Sequence, residues 1–295
     1  MALLGQHFLH DAYYLDQILQ SIPCEHFSNG VQMVEIGVGL GDLSARLLDR
    51  LGSKTLIAYE VDKALAIGLK NRLTPASWGR LALVVGDVME RKGVGNGTYD
   101  VLAHTGLRLP RMGFLCDKPY FLVSNLPYYI ATPIIAHALK DSLCVGLVVM
   151  TQLEVGLKFC AHVGSGDYGA LSVLATLTCA RRALCFEVPK EAFNPPPKVR
   201  SSVIALIKHP LQSSPPSLDV ADLEKLLKCA FKANRKTLSN NLKGLCAPSW
   251  LQEFLTKRGF KPQARPHELS PTAYLDLACD LAQQSNLGEY YGSTH

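Results

Sequence analysis

The residues of this chain best suited to chemistry are Asn125-Leu126-Pro127-Tyr128. An exocyclic amino group on an aromatic base is a poor nucleophile, because its lone pair is delocalised into the ring. The Asn125 side-chain oxygen and the Pro127 carbonyl can each accept one of its N–H bonds. That pulls the nitrogen toward tetrahedral geometry and aims the lone pair at an electrophile. Tyr128 offers a flat face on which the base can stack. Proximity and orientation then supply most of the rate, with no metal and no covalent intermediate. A plain turn is the competing reading of Asn-x-Pro-Tyr.

Three other motifs indicate the electrophile. Glu35-Ile36-Gly37-Val38-Gly39-Leu40-Gly41-Asp42 joins an apolar run to a helical pattern. Glycines at 37 and 39 let a ligand approach the backbone closely. The motif is not GxGxxG, since its third glycine comes one residue early and position 42 is Asp, which disfavours a pyrophosphate. Glu60, 19 residues beyond Gly41, can accept hydrogen bonds from both ribose hydroxyls of a nucleoside. In Gly86-Asp87-Val88, Asp87 can accept from an adenine amino group while the Val88 backbone reads the ring edge. A helix N-cap is the alternative role for Asp87. A glycine loop, a ribose acid and an adenine acid together suit an adenosyl group without phosphates. That points to S-adenosylmethionine, whose sulfonium methyl would be the electrophile.

Further along, Phe193-Asn194-Pro195-Pro196-Pro197-Lys198-Val199 is a proline-stiffened loop. There Phe193 can close the other face of the target base and Lys198 can meet a phosphate. Lys225, Lys228, Lys232, Arg235, Lys236 and Lys243 follow with no acid after Glu224 in that stretch. Phosphate contact is the functional reading and a solvated helix face the alternative. The net charge is +5, and its excess lies at the back of the chain. Residues 1–180 carry 14 Lys/Arg against 15 Asp/Glu, whereas 181–295 carry 16 against 10. Such asymmetry suits a polyanionic partner, nucleic acid first.

Elements must hold these residues in place. Apolar, β-branched runs predict strands at 31–37, 55–60, 81–85, 121–124 and 145–151. Leucines at 43, 47, 48 and 51 predict a helix over 42–51, and further helices fall at 63–73 and 132–140. Strands alternating with helices imply a parallel α/β sheet. A last strand at 201–208 stops at Pro210, and 212–217 reads as a linker. Beyond it only helices are predicted, at 219–233, 235–242, 249–257 and 271–282. The expected domains are therefore 1–210 and a helical 211–285, with 286–295 a flexible tail. The 295 residues, 48% hydrophobic and 19% charged, suit such a two-domain globular chain. No apolar run reaches the roughly 18 residues of a membrane span, and residues 1–10 lack the features of a secretory signal. Nine cysteines with no CxxC pair argue against a disulfide framework or a zinc knuckle. Most are expected to be small buried residues, and the chain is read as cytoplasmic.

In this order the motifs resemble those of the ribosomal RNA small-subunit adenine dimethyltransferases, the KsgA family. The resemblance begins at Gly5-Gln6-His7-Phe8-Leu9 and takes in the glycine loop, Glu60, Gly86-Asp87 and Asn125–Ile130 by position. It continues through Tyr168-Gly169-Ala170-Leu171-Ser172-Val173, the 193–199 loop and Arg235-Lys236-Thr237. It implies a Rossmann-like S-adenosylmethionine-dependent methyltransferase sheet with a smaller all-helical RNA-binding domain. It also implies that two adjacent adenines, in a hairpin loop near the 3′ end of small-subunit ribosomal RNA, are each dimethylated at N6. The substrate would be an assembling ribosomal particle, and nothing demands more than a monomer. By resemblance the cofactor meets His7, Leu9, Gly37, Gly39, Glu60, Asp87, Val88 and Asn125, and the base meets Asn125, Pro127, Tyr128 and Phe193. This chain departs from the commonest pattern at His7 (for Asn), Val38 (for Pro), Leu153 (for Lys), Thr176 (for Gln) and Arg200 (for Asp). Rival readings are a methyltransferase acting on large-subunit RNA, a nicotinamide-dependent dehydrogenase, and a non-catalytic binder of RNA particles.

Overall fold

A computed structural model of the chain describes residues 7–28, 30–89, 100–101, 113–210 and 220–291. Its strands are β1 (Phe8–Leu9), β2 (Gln32–Ile36), β3 (Leu56–Glu60), β4 (Leu81–Val85), β5 (Asp100–Val101), β6 (Tyr120–Asn125), β7 (Cys144–Gln152), β8 (Cys179–Val188), β9 (Phe193–Asn194) and β10 (Ser201–Lys208). Helices α1 (Ala12–Gln20), α2 (Glu25–Ser28), α3 (Asp42–Leu51), α4 (Lys63–Leu69), α5 (Pro75–Trp78) and α6 (Ala131–Lys140) are interspersed among the first seven strands. Then come α7 (Leu153–Cys160), α8 (Ala170–Thr178), α9 (Val220–Ala230), α10 (Leu238–Asn241), α11 (Pro248–Lys257) and α12 (Pro271–Tyr291).

One sheet has the order β5-β4-β3-β2-β6-β7-β10-β8, and β1 pairs separately with β9. The strands from β4 to β7 in that order run parallel. Each residue of β3 and β4 is buried, as suits strands covered on both faces. The sheet is not parallel throughout, however: β5, β8 and β10 are antiparallel to their neighbours. The chain from β8 to β10 carries only a three-residue 3-10 turn and β9. It has no crossover helix to return it to the other end of the sheet, so β10 runs back beside β8.

Local chemistry explains the helix bounds. Leu43, Leu47, Leu48 and Leu51 of α3 are buried on one face. Asp62 caps α4 by accepting from the N–H groups of Ala64 and Leu65, and that helix ends at Leu69 rather than 73. Thr237 caps α10 by accepting from the Asn240 N–H, so this helix starts later than the expected 235 and is only four residues long. Among the longer elements, α1, α7, α8 and β8 go beyond those the sequence predicts. Edge strand β8 presents Arg181 and Glu187 to solvent, so its sequence carries no buried run.

The chain divides into two compact units, Met1–Gly156 with Cys179–Leu211, and Leu157–Thr178 with Gln212–His295. The first contains the sheet. In the second, Tyr168 and Val173 share a buried cluster with Leu226, Leu251, Leu255 and Leu277. The Tyr168 hydroxyl donates to the Leu269 carbonyl at 3.0 Å. Residues 157–178 therefore belong with the C-terminal helices, not with the contiguous 1–210 domain expected from sequence. Helix α12 continues to Tyr291, so 286–291 are helical where a loose tail is expected. The linker expected at 212–217 lies outside the described residues. Among the nine cysteines only Cys116, Cys144 and Cys179 are buried, fewer than expected, while Cys24 and Cys185 are exposed. No helix among the described residues is long and apolar enough to cross a membrane.

Candidate active site

Strands β4, β3, β2 and β6 lie side by side and parallel, so their carboxyl ends meet at one edge of the sheet. A cavity opens there. It is lined by His7, Leu9, Gly37, Gly39, Glu60, Asp87, Val88 and Asn125, and also by Pro127 and Tyr128. Every residue expected at the cofactor is thus brought together with three of the four expected at the base.

The glycine loop is held to the acid of the next strand. Glu60 is 3% exposed, and its Oε2 accepts from the Gly39 N–H at 3.0 Å while Oε1 accepts from the Asp62 N–H at 2.9 Å. A carboxylate keeps lone pairs free after two such bonds, enough for a vicinal diol. Burial raises the Glu60 carboxyl above its ordinary pKa, against the lowering effect of the Asp62 and Gly39 N–H donors. Gly39 has φ +53°, and a Cβ there would stand 3.0 Å from the Phe8 ring. A side chain at position 39 would crowd the Phe8 ring and strain a backbone held at positive φ.

Asn125 ends β6, and its Nδ2 donates to the His7 carbonyl at 3.3 Å. A carbonyl can only accept, so the amide nitrogen faces His7 and Oδ1 is turned away, open to a donor. The Pro127 carbonyl accepts from the Ile130 N–H at 3.1 Å and retains a second lone pair. The Tyr128 hydroxyl lies 2.5 Å from the Ser201 Oγ, which braces the ring against the start of β10. Burial raises the Tyr128 phenol, so the ring stays neutral.

Phe193 does not join this group. It is 2% exposed, packs in the core with Leu9, Leu15 and Val188, and does not line the cavity. Its place in β9, paired with Leu9 of β1, turns the side chain inward. Phe193 is thus not among the residues that line the cavity, although Leu9 and Leu15 of the same buried cluster are. Lys198 is exposed on the loop that follows. In the second unit Lys225, Lys228, Lys232, Arg235, Lys236 and Lys243 are all exposed. On α9, Lys225 and Lys228 oppose the buried Leu223, Leu226 and Leu227.

Among the cavity residues to which the sequence reading gives no role are Glu35 and Tyr129. Glu35 is 1% exposed, accepts from the Ser44 hydroxyl at 2.6 Å, and is pushed by burial up to about 8. Its position inside an apolar strand hides it, although an acid in such a run is itself a signal. Tyr129 is 60% exposed at the cavity, beside Asp87 and Glu60. The wall thus carries Glu35, Asp42, Glu60 and Asp87 but no Lys or Arg among the described residues, and with Glu35 held neutral by burial its negative charge rests on the other acids. Such a wall repels phosphate and suits a nucleoside bearing positive charge, as the sulfonium and ammonium of S-adenosylmethionine do.

Known proteins carry related sequences and folds. The sequence profile of the ribosomal RNA adenine dimethylase family matches residues 2–283. A protein of Helicobacter hepaticus named ribosomal RNA small subunit methyltransferase A is 39% identical over 287 residues, 97% of this chain and 92% of that one. The Campylobacter jejuni (strain RM1221) protein of the same name is 39% identical over 92% of this chain and 91% of its own. Among solved structures, a dimethyladenosine transferase from Plasmodium falciparum has the same fold, with a TM-score of 0.69 at 22% identity over 95% of this chain and 98% of that one. The 23S rRNA methyltransferase ErmE follows with a TM-score of 0.61 at 21% identity, covering 93% and 99%. With a family match spanning nearly its whole length, and its expected motifs gathered in one cavity, this chain belongs to the ribosomal RNA adenine dimethylase family.

Proposed function

We propose that this protein transfers methyl groups from S-adenosylmethionine to N6 of two adjacent adenines in small-subunit ribosomal RNA, two to each. The target would be the hairpin loop near the 3′ end, presented in an assembling particle in the cytoplasm, with the protein acting as a monomer. The observation that carries this reading is the Asn125–Tyr128 turn standing beside a carboxylate-lined cavity that has no Lys or Arg among the described residues. The same wall disfavours the nicotinamide reading, because a pyrophosphate would meet Asp42, Glu60 and Asp87 with no Lys or Arg among the described lining residues to offset them.

Bound S-adenosylmethionine would supply an electrophilic methyl on a positively charged sulfur. Glu60 would hold the ribose hydroxyls, Asp87 and the Val88 backbone the adenine edge, and Gly37, Gly39 and Leu9 the remaining wall. Tyr128 would stack on the target base. In the first transfer Asn125 Oδ1 and the Pro127 carbonyl would each accept one N6 hydrogen, and in the second one of them would accept the hydrogen that remains, restoring the lone pair to the nitrogen and aiming it; each transfer would release S-adenosylhomocysteine and one N6 proton. Their rigid placement, Asn125 by His7 and Tyr128 by Ser201, supplies orientation in advance of binding. Lys198 and the basic residues from Lys225 to Lys243 by position would meet RNA phosphates.

Methyl transfer from labelled S-adenosylmethionine to unmethylated small-subunit particles, followed by nucleoside analysis, tests this. Two N6-dimethyladenosines per particle are expected. Transfer to large-subunit RNA instead would replace the substrate assignment. Cofactor binding without transfer to either would favour a role in particle assembly alone.

A further inference from the structure

The Pro127 carbonyl accepts from the Ile130 N–H at 3.1 Å, which closes a turn with Tyr128 and Tyr129 at its two central positions. The two rings leave that turn toward opposite ends of the sheet. Tyr128 reaches Ser201 of β10, on one side of β6. Tyr129 stands beside Glu60, which ends β3, and Asp87, which follows β4, both on the other side of β6. Its ring is 60% exposed, and Val61, next to Glu60, is 42% exposed. Both line the same cavity. Burial, with the charges of Asp87 and Glu60, holds the phenol above its ordinary pKa, so the ring stays neutral.

An adenosyl group has polar edges and flat purine faces. Acids at 60 and 87 suit the ribose hydroxyls and the amino edge, and leave the faces to other groups. Among the described residues, Tyr129 and Val61 are the large exposed apolar side chains of that wall. We propose that Tyr129 is a cofactor-binding residue, its ring closing over the adenosyl group at the rim of the cavity. RNA suits this spot less, because a phosphodiester drawn to the ring would meet Glu60 and Asp87. The turn thus divides its two tyrosines, Tyr128 to the target base and Tyr129 to the methyl donor. Binding takes the Tyr129 ring out of water, which favours the closed arrangement. This assignment rests on the S-adenosylmethionine reading above.

The test is calorimetric binding of S-adenosylmethionine and S-adenosylhomocysteine to wild type, Tyr129→Ala and Tyr129→Phe. Loss of a ring stacked on a base corresponds to about a tenfold weaker Kd. Tyr129→Ala should weaken both ligands alike, because they share the adenosyl group. Tyr129→Phe keeps the ring and should recover most of the loss. At saturating cofactor the KM of Tyr129→Ala for small-subunit particles should stay near that of wild type. Hydroxyl-radical footprinting of the wild type carries the test if Tyr129→Ala fails to fold. There S-adenosylhomocysteine should protect Tyr129 and leave Tyr13, 64% exposed and outside the cavity lining, unprotected. Unchanged Kd values, or a loss confined to S-adenosylmethionine, would overturn the proposal. So would an unprotected Tyr129, or a raised particle KM with cofactor affinity intact, which would give the ring to RNA. A wild-type protein that binds neither ligand would instead overturn the cofactor reading on which the proposal rests, and this shows without any variant.

Discussion

The Gly39 N–H donates to Glu60 Oε2 at 3.0 Å, which makes the glycine loop and the acid ending β3 a single device. Removing the acid therefore costs twice: it deletes the ribose acceptor and frees the loop. Hydrogen bonds to a charged group contribute about 1.5–3 kcal/mol each. Glu60→Ala should weaken S-adenosylmethionine binding by at least about tenfold. Calorimetric titration checks this, and an unchanged Kd would place the ribose elsewhere.

Asn125→Ala removes the acceptor that the His7 carbonyl orients. Deleting one preorganised hydrogen-bonding group from a reaction site typically lowers kcat by about 10²–10³. A loss of that order is expected, with the particle KM and thermal stability near those of wild type. Near-normal turnover in single-turnover methylation would remove the nitrogen-activation role.

Glu35 makes the cofactor-free protein sensitive to pH. Burial pushes its carboxyl from the ordinary 4.5 up to about 8, so the folded form retains a proton that the unfolded chain loses. The stability this contributes is complete below about pH 4.5 and is lost as pH rises to about 8. Glu35→Gln keeps an acceptor for Ser44 and removes the titration. Its Tm relative to wild type should therefore rise between about pH 5 and 8, by thermal unfolding without cofactor. Parallel pH profiles for the two proteins would show that the Glu35 carboxyl is not raised.

Lys225, Lys228 and Lys232 are exposed on or just after α9. If they meet phosphates, replacing all three by Gln weakens particle binding and flattens its salt dependence. The slope of log K against log salt should fall by about 0.7 for each phosphate of single-stranded RNA that is no longer neutralised. An unchanged slope would leave these lysines as a solvated face.

The strand-end half of the site is legible in the linear order of residues. Gly37, Glu60, Asp87 and Asn125 each follow a buried apolar strand, and parallel strands joined by helices must bring such ends to one edge of the sheet. That inference needs only local periodicity and the handedness of the connections. The other half is legible as far as Asn125, Pro127 and Tyr128, which are neighbours in the chain. Pairings across long separations are not. Phe193 is turned inward by its pairing with Leu9, and the antiparallel β8 and β10 have no periodicity that distinguishes them from parallel strands. Residues 157–178 join the C-terminal helices because Tyr168 and Val173 find their apolar partners there, far along the chain. The His7 carbonyl and the Asn125 amide, 118 positions apart, meet only when β1 settles over the end of β6. Side-chain spacing records which face of an element is apolar; which distant surface covers that face is decided by packing of the whole.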